Sequence, residues 1–440
     1  MSTRNHTANA LARIFLAGKF ESDEMVERAS HLLAKRWRWL RPLARRVVAA
    51  YDGKPLPRSI ALTKFILSDL GFSRALEKHE VHVVHPLINV PTMNPIAVAN
   101  TWRLPSICTI KELADLLSIT VSELNWFADL KLFEYKRNRG ALRHYRYRPV
   151  TKRFGRIRLI EAPKPRLKVI QTLILSTILN NVPPHTAAHG FRRGRSIKTF
   201  AEPHTDKMAV LKIDLSDFFP SISIARVQSL FRALGYPELV ADTLAGLCSN
   251  ATPLDVWDSP KVDSPAKNIR QVRWLYANPH LPQGAPTSPT LANLCAYRLD
   301  CRLSALAESV GAVYTRYADD LAFSGDDSFA RVAKRFQIHV CATAMEEGFR
   351  VHHRKTRIMR RGVRQRIAGL VVNKHLNLAR NDIDRLKAIL TNCIRFGAHT
   401  QNRSEQDDFR AHLYGRVAFV ESINPRKGSK LRQLLEQVEW

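Results

Sequence analysis

An α+β fold is predicted for this 440-residue sequence from three features. Helical apolar patterns occur within residues 1–105 and 380–440, alternating strand-like segments lie between, and two of those segments carry aspartates beside a turn. In the first region, Glu24 to Leu40 and Ser59 to Leu70 have the helical period, with proline-bearing breaks at Pro55 to Pro57 and Pro86 to Pro95. Thr109 with Glu112, and Thr120 with Glu123, have capping-box spacing, so two short helices joined by a tight turn are expected. Ordinary core packing is the commoner fate of such a pair, and a DNA-reading helix-turn-helix the rarer one. Arg156-Ile-Arg-Leu-Ile alternates as a strand, Ala209 to Asp214 reads as a strand ending in a carboxylate, and Val313 to Gly325 reads as a hairpin turning at Ala-Asp-Asp. Helical patterns return at Asp382 to Phe396 and Gln406 to Val420.

Charge narrows the function. With 69 Lys+Arg against 39 Asp+Glu, the chain carries +30, far beyond what solubility requires, and a polyanionic partner is expected. Between Lys131 and Lys168 there are fourteen Lys/Arg and two acids, interleaved with Tyr135, Tyr145 and Tyr147. A solvated face is the usual reading of a charge run, but the interleaved aromatics favour a phosphate-tracking surface. A second, acid-free run from Arg350 to Arg366 holds eight Lys/Arg. The apolar runs fall short of a membrane span and the N-terminus has no secretory pattern, so a cytoplasmic protein without a membrane partner is expected. The six cysteines have no CxxC spacing and read as buried thiols in a reducing compartment. His82-x-x-His85 lacks the further ligands that a metal site requires.

The carboxylates carry the chemistry. Asp319 and Asp320 at a hairpin tip repel each other, and cations beside them would relieve that repulsion. Mg2+ takes a few carboxylates plus water and phosphate oxygens, and a pair of such ions can clamp an in-line phosphoryl displacement. An isolated Asp-Asp is ordinary turn chemistry. Here it follows a strand ending in Asp214, the aromatic pair Phe218-Phe219 and a Gln283-Gly284 loop, all in a basic chain.

From about Lys136 to Trp440 the chain resembles reverse transcriptases, and among them the bacterial retron type. Tyr317-Ala-Asp-Asp320 is similar to that family's catalytic box, Leu211 to Phe219 to its first-aspartate motif, and Leu281-Pro-Gln-Gly-Ala-Pro-Thr-Ser-Pro289 to its nucleotide-pocket motif. Ala188-His-Gly-Phe-Arg-Arg-Gly-Arg-Ser196 resembles the fingers motif, and Arg158 to Gln171 the stretch before it. Two segments depart from the retron pattern. Phe200-Ala-Glu-Pro-His204 stands where Asn-Ala-x-x-His is usual, and Ile367-Ala-Gly369 where Val-Thr-Gly is usual.

The resemblance implies a right-hand polymerase with an antiparallel palm sheet. Residues 1–105 would be a helical extension, 106–208 N-terminal helices and fingers, 209–375 palm with part of the fingers, and 376–440 a helical thumb. Asp214, Asp319 and Asp320 are implied as catalytic, holding Mg2+ together with Leu215, with Mn2+ as the alternative ion. Lys152, Arg158, Phe219, Gln283, Gly284 and Lys355 would serve the dNTP, with Phe219 as a gate against a 2′-hydroxyl and Phe218 as core. Arg192, Arg193, Arg195, His204, Arg364, Arg366 and Gly369 would contact nucleic acid, Gly369 in a primer-grip hairpin spanning 369–373. The implied reaction is RNA-templated dNTP addition that yields branched RNA-linked DNA from a cognate structured RNA, in antiphage defence with a toxin or effector protein. An intron-type or standalone defence reverse transcriptase, a non-catalytic nucleic-acid binder and a helix-turn-helix regulator are the rivals.

Overall fold

The computed structural model describes residues 3–54, 56–85, 91–136, 143–151, 157–258, 269–403 and 405–440. Helices and antiparallel strands alternate as the α+β reading expects, and the chain forms two compact units, Met1–Pro183 with Phe219–Cys295, and Pro184–Phe218 with Ala296–Trp440.

In the first unit, helices Thr3–Leu16, Ser22–Leu32, Leu40–Tyr51, Ser59–Ser68 and Leu70–Lys78 bury Leu11, Phe15, Met25, Leu43 and Phe72 in a common core. The single helix expected over 24–40 is instead broken between Leu32 and Leu40, where Ala34 has a φ of +50°. Arg58 pairs with Asp242, and Glu238 accepts from the Ser59 amide, so this bundle is tied to helix Glu238–Cys248. Thr109 and Thr120 cap helices Ile110–Leu116 and Val121–Ala128 as their spacing predicts. The second of these packs on helix Glu238–Cys248, where a Cβ on Gly246 would lie 2.3 Å from the Ala128 carbonyl oxygen.

Strand β1 (Tyr145–Thr151) pairs antiparallel with β2 (Ile157–Pro163). Alternation sends Arg146 and Arg148 to solvent and turns Tyr145 and Tyr147 inward. Those two tyrosines are therefore not a stacking surface, contrary to the sequence expectation: the Tyr145 hydroxyl accepts from Gln171 and the Tyr147 hydroxyl donates to Glu134.

The second unit is built on a five-stranded antiparallel sheet. Strand β3 (Ala209–Ser216) lies at its centre, running two residues beyond the aspartate where it was expected to end. On one side β3 pairs with β5 (Asp320–Gly325), which pairs in turn with β4 (Val313–Tyr317). On the other side it pairs with β6 (Arg350–Val351) and β7 (Arg357–Arg360). Helix Asp327–Glu346 packs against this sheet through Phe329, Ala333, Phe336, Val340 and Ala344, a stripe at helical spacing. Strands β8 (Arg366–Ile367), β9 (Leu370–Val371) and β10 (Asn377–Leu378) form a small second sheet. Gly369, with a φ of +89°, is in the β8–β9 turn, so the hairpin starts earlier than the 369–373 expected. Helices Arg380–Phe396, Phe409–Ile423 and Pro425–Glu436 close the chain around Leu386, Leu390, Leu413, Val417 and Leu435; the last of them was not foreseen.

All six cysteines are free thiols. Cys248, Cys295 and Cys393 are buried, but Cys301 is exposed and Cys108 and Cys341 are half-buried, so burial was right for only half of them. No helix among the described residues is long and apolar enough to cross a membrane.

Candidate active site

Three aspartates meet at one end of the five-stranded sheet. Asp214 on β3 is in register with Asp320, the first residue of β5, and Asp319 occupies the loop between β4 and β5. Because Tyr317 pairs with Asp320, that loop is only Ala318 and Asp319. Ala318 has a φ of +55°, a strained conformation for a residue with a Cβ, and its surroundings hold it there. The Leu215 amide donates to the Asp319 carbonyl at 2.8 Å. Segment 187–190 runs along β4, with His189 N donating to Arg316 O and Arg316 N to Ala187 O, both at 2.8 Å. A Cβ on Gly190 would lie 2.7 Å from the Ala318 nitrogen, so glycine is required where this segment crosses the turn.

A buried ion pair fixes the same turn from within. Arg316 Nε and Nη2 donate to the two oxygens of Asp300 at 2.7 and 2.6 Å, and Nη1 donates to the Ala318 carbonyl at 3.2 Å. The Tyr314 hydroxyl donates to Asp300 Oδ1 at 2.8 Å. Both charged side chains are fully buried, so their pairing offsets a large desolvation cost.

Charge at the tip is offset in part by two lysines. Lys355 Nζ contacts both Asp214 oxygens, and Lys212 Nζ lies 2.9 Å from Asp320 Oδ1. Burial, followed by the neighbouring charges of Asp320 and Asp214, raises Asp319 above the ordinary carboxylate range. Among the described residues no group of three or more His, Cys, Asp or Glu is closed around a metal-sized space. Mg2+ does not require such a cage, since one or two carboxylates with waters and phosphate oxygens suffice. An all-carboxylate donor set whose own field opposes ionisation of Asp319 fits a hard divalent cation.

Residues 150–385 match the family described as reverse transcriptase (RNA-dependent DNA polymerase). The chain is 41% identical over 335 residues to the Retron Mx65 reverse transcriptase of Myxococcus xanthus, covering 75% of this chain and 72% of that one. It belongs to the retron-type reverse transcriptases. It is also 37% identical to the Retron Mx162 reverse transcriptase of M. xanthus, over 80% of this chain and 71% of that one. To the Retron Ec86 reverse transcriptase of Escherichia coli it is 29% identical, over 64% and 77%. The aspartates of this reverse transcriptase thus belong to an RNA-directed DNA polymerase, in a family that works with divalent metal ions.

The remaining residues singled out in the sequence fall in both units. In the first unit of this reverse transcriptase, Arg158 is on β2, half-buried. Gln283, half-buried, is tied to the same strand by the Glu161 amide, which donates to its carbonyl at 2.7 Å. Gly284 has a φ of +132°, and a Cβ there would lie 2.9 Å from the Glu161 carbonyl oxygen. Phe219 is half-buried, and Lys152 lies outside the described residues.

In the second unit, Phe218 is core, its ring 5.5 Å from that of Phe349. Leu215 has a buried apolar side chain, which leaves its backbone carbonyl as its only oxygen donor toward a metal. Arg193, Arg195, Arg364 and Arg366 are exposed and Arg192 is half-buried. His204 corrects the sequence expectation. It is fully buried, with Nδ1 2.7 Å from Ser324 Oγ and Nε2 2.7 Å from Thr315 Oγ1, so it pins β4 to β5 and offers nucleic acid no surface. Burial pushes its imidazole down to about 3.

Sequence reasoning missed Lys212, Asp300 and Arg316. Lys212 had a signal, since two residues before Asp214 it shares the same face of β3. Arg316 immediately precedes the catalytic box, but nothing in the sequence pointed to Asp300 as its partner.

Proposed function

We propose that this chain is a retron enzyme that copies a cognate structured RNA into single-stranded DNA joined to that RNA by a 2′,5′ branch. The observation that carries the reading is the alignment of Asp214 with Asp319 and Asp320 at one sheet end, in a chain 41% identical to a retron reverse transcriptase over three-quarters of its length. On this reading residues 106–208 contribute fingers, 209–375 the palm and 376–440 the thumb of a right-hand polymerase. A guanosine 2′-hydroxyl primes, and its oxygen attacks the α-phosphorus of a dNTP as pyrophosphate leaves. No side chain acts as nucleophile.

Asp214, Asp319, Asp320 and the Leu215 carbonyl would hold Mg2+, or Mn2+ in its place, which supplies positive charge to the attacking and leaving oxygens. Lys355, already beside Asp214, neutralises the departing pyrophosphate, and Lys152 and Arg158 bind the triphosphate. Gln283 and Gly284 support the base pair that forms on the template. Phe219, half-buried where Phe218 is core, excludes a 2′-hydroxyl on the incoming sugar. Exposed Arg193, Arg195, Arg364 and Arg366, with Arg192, track phosphates. The DNA product acts in antiphage defence in the cytoplasm with an effector protein.

The test is expression from the gene with its native flanking DNA, wild type beside Asp319→Asn plus Asp320→Asn. Co-purifying nucleic acid is sequenced before and after debranching enzyme. A discrete single-stranded DNA joined 2′,5′ to RNA, present only in wild type, is expected. RNA bound without branched DNA would remove the retron product from the reading.

A further inference from the structure

We propose that Glu161, paired with His280, is a positioning residue for nucleotide binding: a buried ionic tether that sets the Gln283-Gly284 loop against β2. The inference rests on the reading of Gln283 and Gly284 as nucleotide-pocket residues.

Both side chains of the pair are fully buried, with His280 Nε2 2.9 Å from Glu161 Oε2. The other carboxylate oxygen, Oε1, accepts from Asn250 Nδ2 and from Thr252 Oγ1, each at 2.8 Å. On the far side of the imidazole, Nδ1 lies 2.7 Å from the Asn278 carbonyl oxygen. The Asn278 carbonyl can only accept, so Nδ1 donates to it, and Nε2 and Glu161 Oε2 are joined through one proton. Burial alone would lower the pKa of His280, but the Glu161 charge and hydrogen bond outweigh it and raise the group. Glu161 therefore holds three polar partners at a fully buried position.

The tether binds the nucleotide loop because main chain and side chain act together. While the Glu161 side chain holds His280, its amide donates to the Gln283 carbonyl at 2.7 Å, three residues further along. His280 and Asn250 also exchange backbone hydrogen bonds, at 3.0 and 2.9 Å. The entry to the loop is thus bonded to β2 and to segment 250–252 at once. Gly284 has no Cβ to hold it away from the Glu161 carbonyl, so the loop seats directly on the strand. On β2 the buried face carries Ile157, Leu159 and Glu161, and Arg158 points to the other face. Moving Glu161 moves the strand that presents Arg158 and the loop that presents Gln283 together. A hydrophobic core at this place would give cohesion without fixing that register; a carboxylate with three directed partners does fix it.

The test is single-nucleotide incorporation on a primed RNA template, with primer–template affinity and thermal unfolding measured on the same preparations. Glu161→Ala is expected to raise the dNTP KM about tenfold while primer–template Kd stays within about twofold. Glu161→Gln can accept from Asn250 and Thr252 and donate to a neutral His280, and should return KM to within about twofold of wild type. Thr252→Val keeps its shape and removes one donor, so it decides the matter if Glu161→Ala does not fold; a KM rise of about threefold is expected. A loss of thermal stability with KM unchanged in these variants overturns the inference and leaves the polymerase reading intact. If the wild type incorporates nothing, or Asp319→Asn incorporates normally, the polymerase reading fails and the inference falls with it.

Discussion

Lys355 Nζ lies 3.0 Å from Oδ1 and 2.9 Å from Oδ2 of Asp214, so one ammonium group spans the carboxylate. Asp214 is buried and Lys355 half-exposed, which makes the lysine the mobile partner. On the proposed reading, a cation at Asp214 would compete with Lys355, and the displaced lysine would meet phosphate oxygens.

Lys355→Met retains the aliphatic stem and removes the competitor. The divalent-ion concentration for half-maximal incorporation should fall, and, with the role proposed for Lys355 at the departing pyrophosphate, the maximal rate should drop on the order of 10²-fold. A metal titration of single-nucleotide incorporation reads both. An unchanged midpoint with an unchanged rate would make the pair purely structural.

Asp319 is raised by burial and then by Asp320 and Asp214, so the folded state contains a repulsion among the three carboxylates proposed to hold the metal. Asp319→Asn should melt at the same temperature as wild type or higher, while incorporation falls by about 10²–10³-fold or more. Retained incorporation at normal stability would take Asp319 out of the catalytic set.

How much of this was legible in the sequence depends on whether local order or distant contact decides. Helices 110–116 and 121–128 were readable because Thr109 and Thr120 bond to amides three residues on. Strands β3, β4 and β5 were readable from short alternating runs, and with them the adjacency of the aspartates. Tyr145 and Tyr147 were misread because residue type was used in place of facing, and His204 because a motif match says nothing of burial: alternation on β1 and the partners Thr315 and Ser324 turn them inward. The Asp300–Arg316 pair was invisible, since its geometry arises only when helix Tyr297–Glu308 meets β4.

That pair can be tested by a double-mutant cycle. Arg316→Met alone leaves the buried Asp300 without its guanidinium but with the Tyr314 hydroxyl still donating to it, and should cost about 3–5 kcal/mol in urea unfolding. Asp300→Leu together with Arg316→Met removes both charges and should recover much of that loss. Incorporation should not recover in step, because the donor to the Ala318 carbonyl is gone in both variants. Recovery of both together would assign Arg316 to stability alone.

His204 makes the hairpin sensitive to acid. Thr315 Oγ1 donates its proton to the Phe200 carbonyl and so accepts from Nε2–H; Ser324 Oγ then donates to Nδ1, and the neutral ring satisfies every partner. The ordinary value is 6.5 and burial takes the folded group to about 3, so between these values the unfolded chain binds the extra proton. Stability from this site is complete above pH 6.5 and declines as pH falls toward 3. His189, also lowered by burial, to about 4, adds in the same direction. In chemical unfolding between pH 6 and 4, His204→Gln should therefore lose stability less steeply than wild type, by up to about 1.4 kcal/mol per pH unit. Because every other titrating group is common to both proteins, the difference between the two slopes isolates His204, and parallel slopes would mean that the buried ring accepts its proton without opening the β4–β5 hairpin.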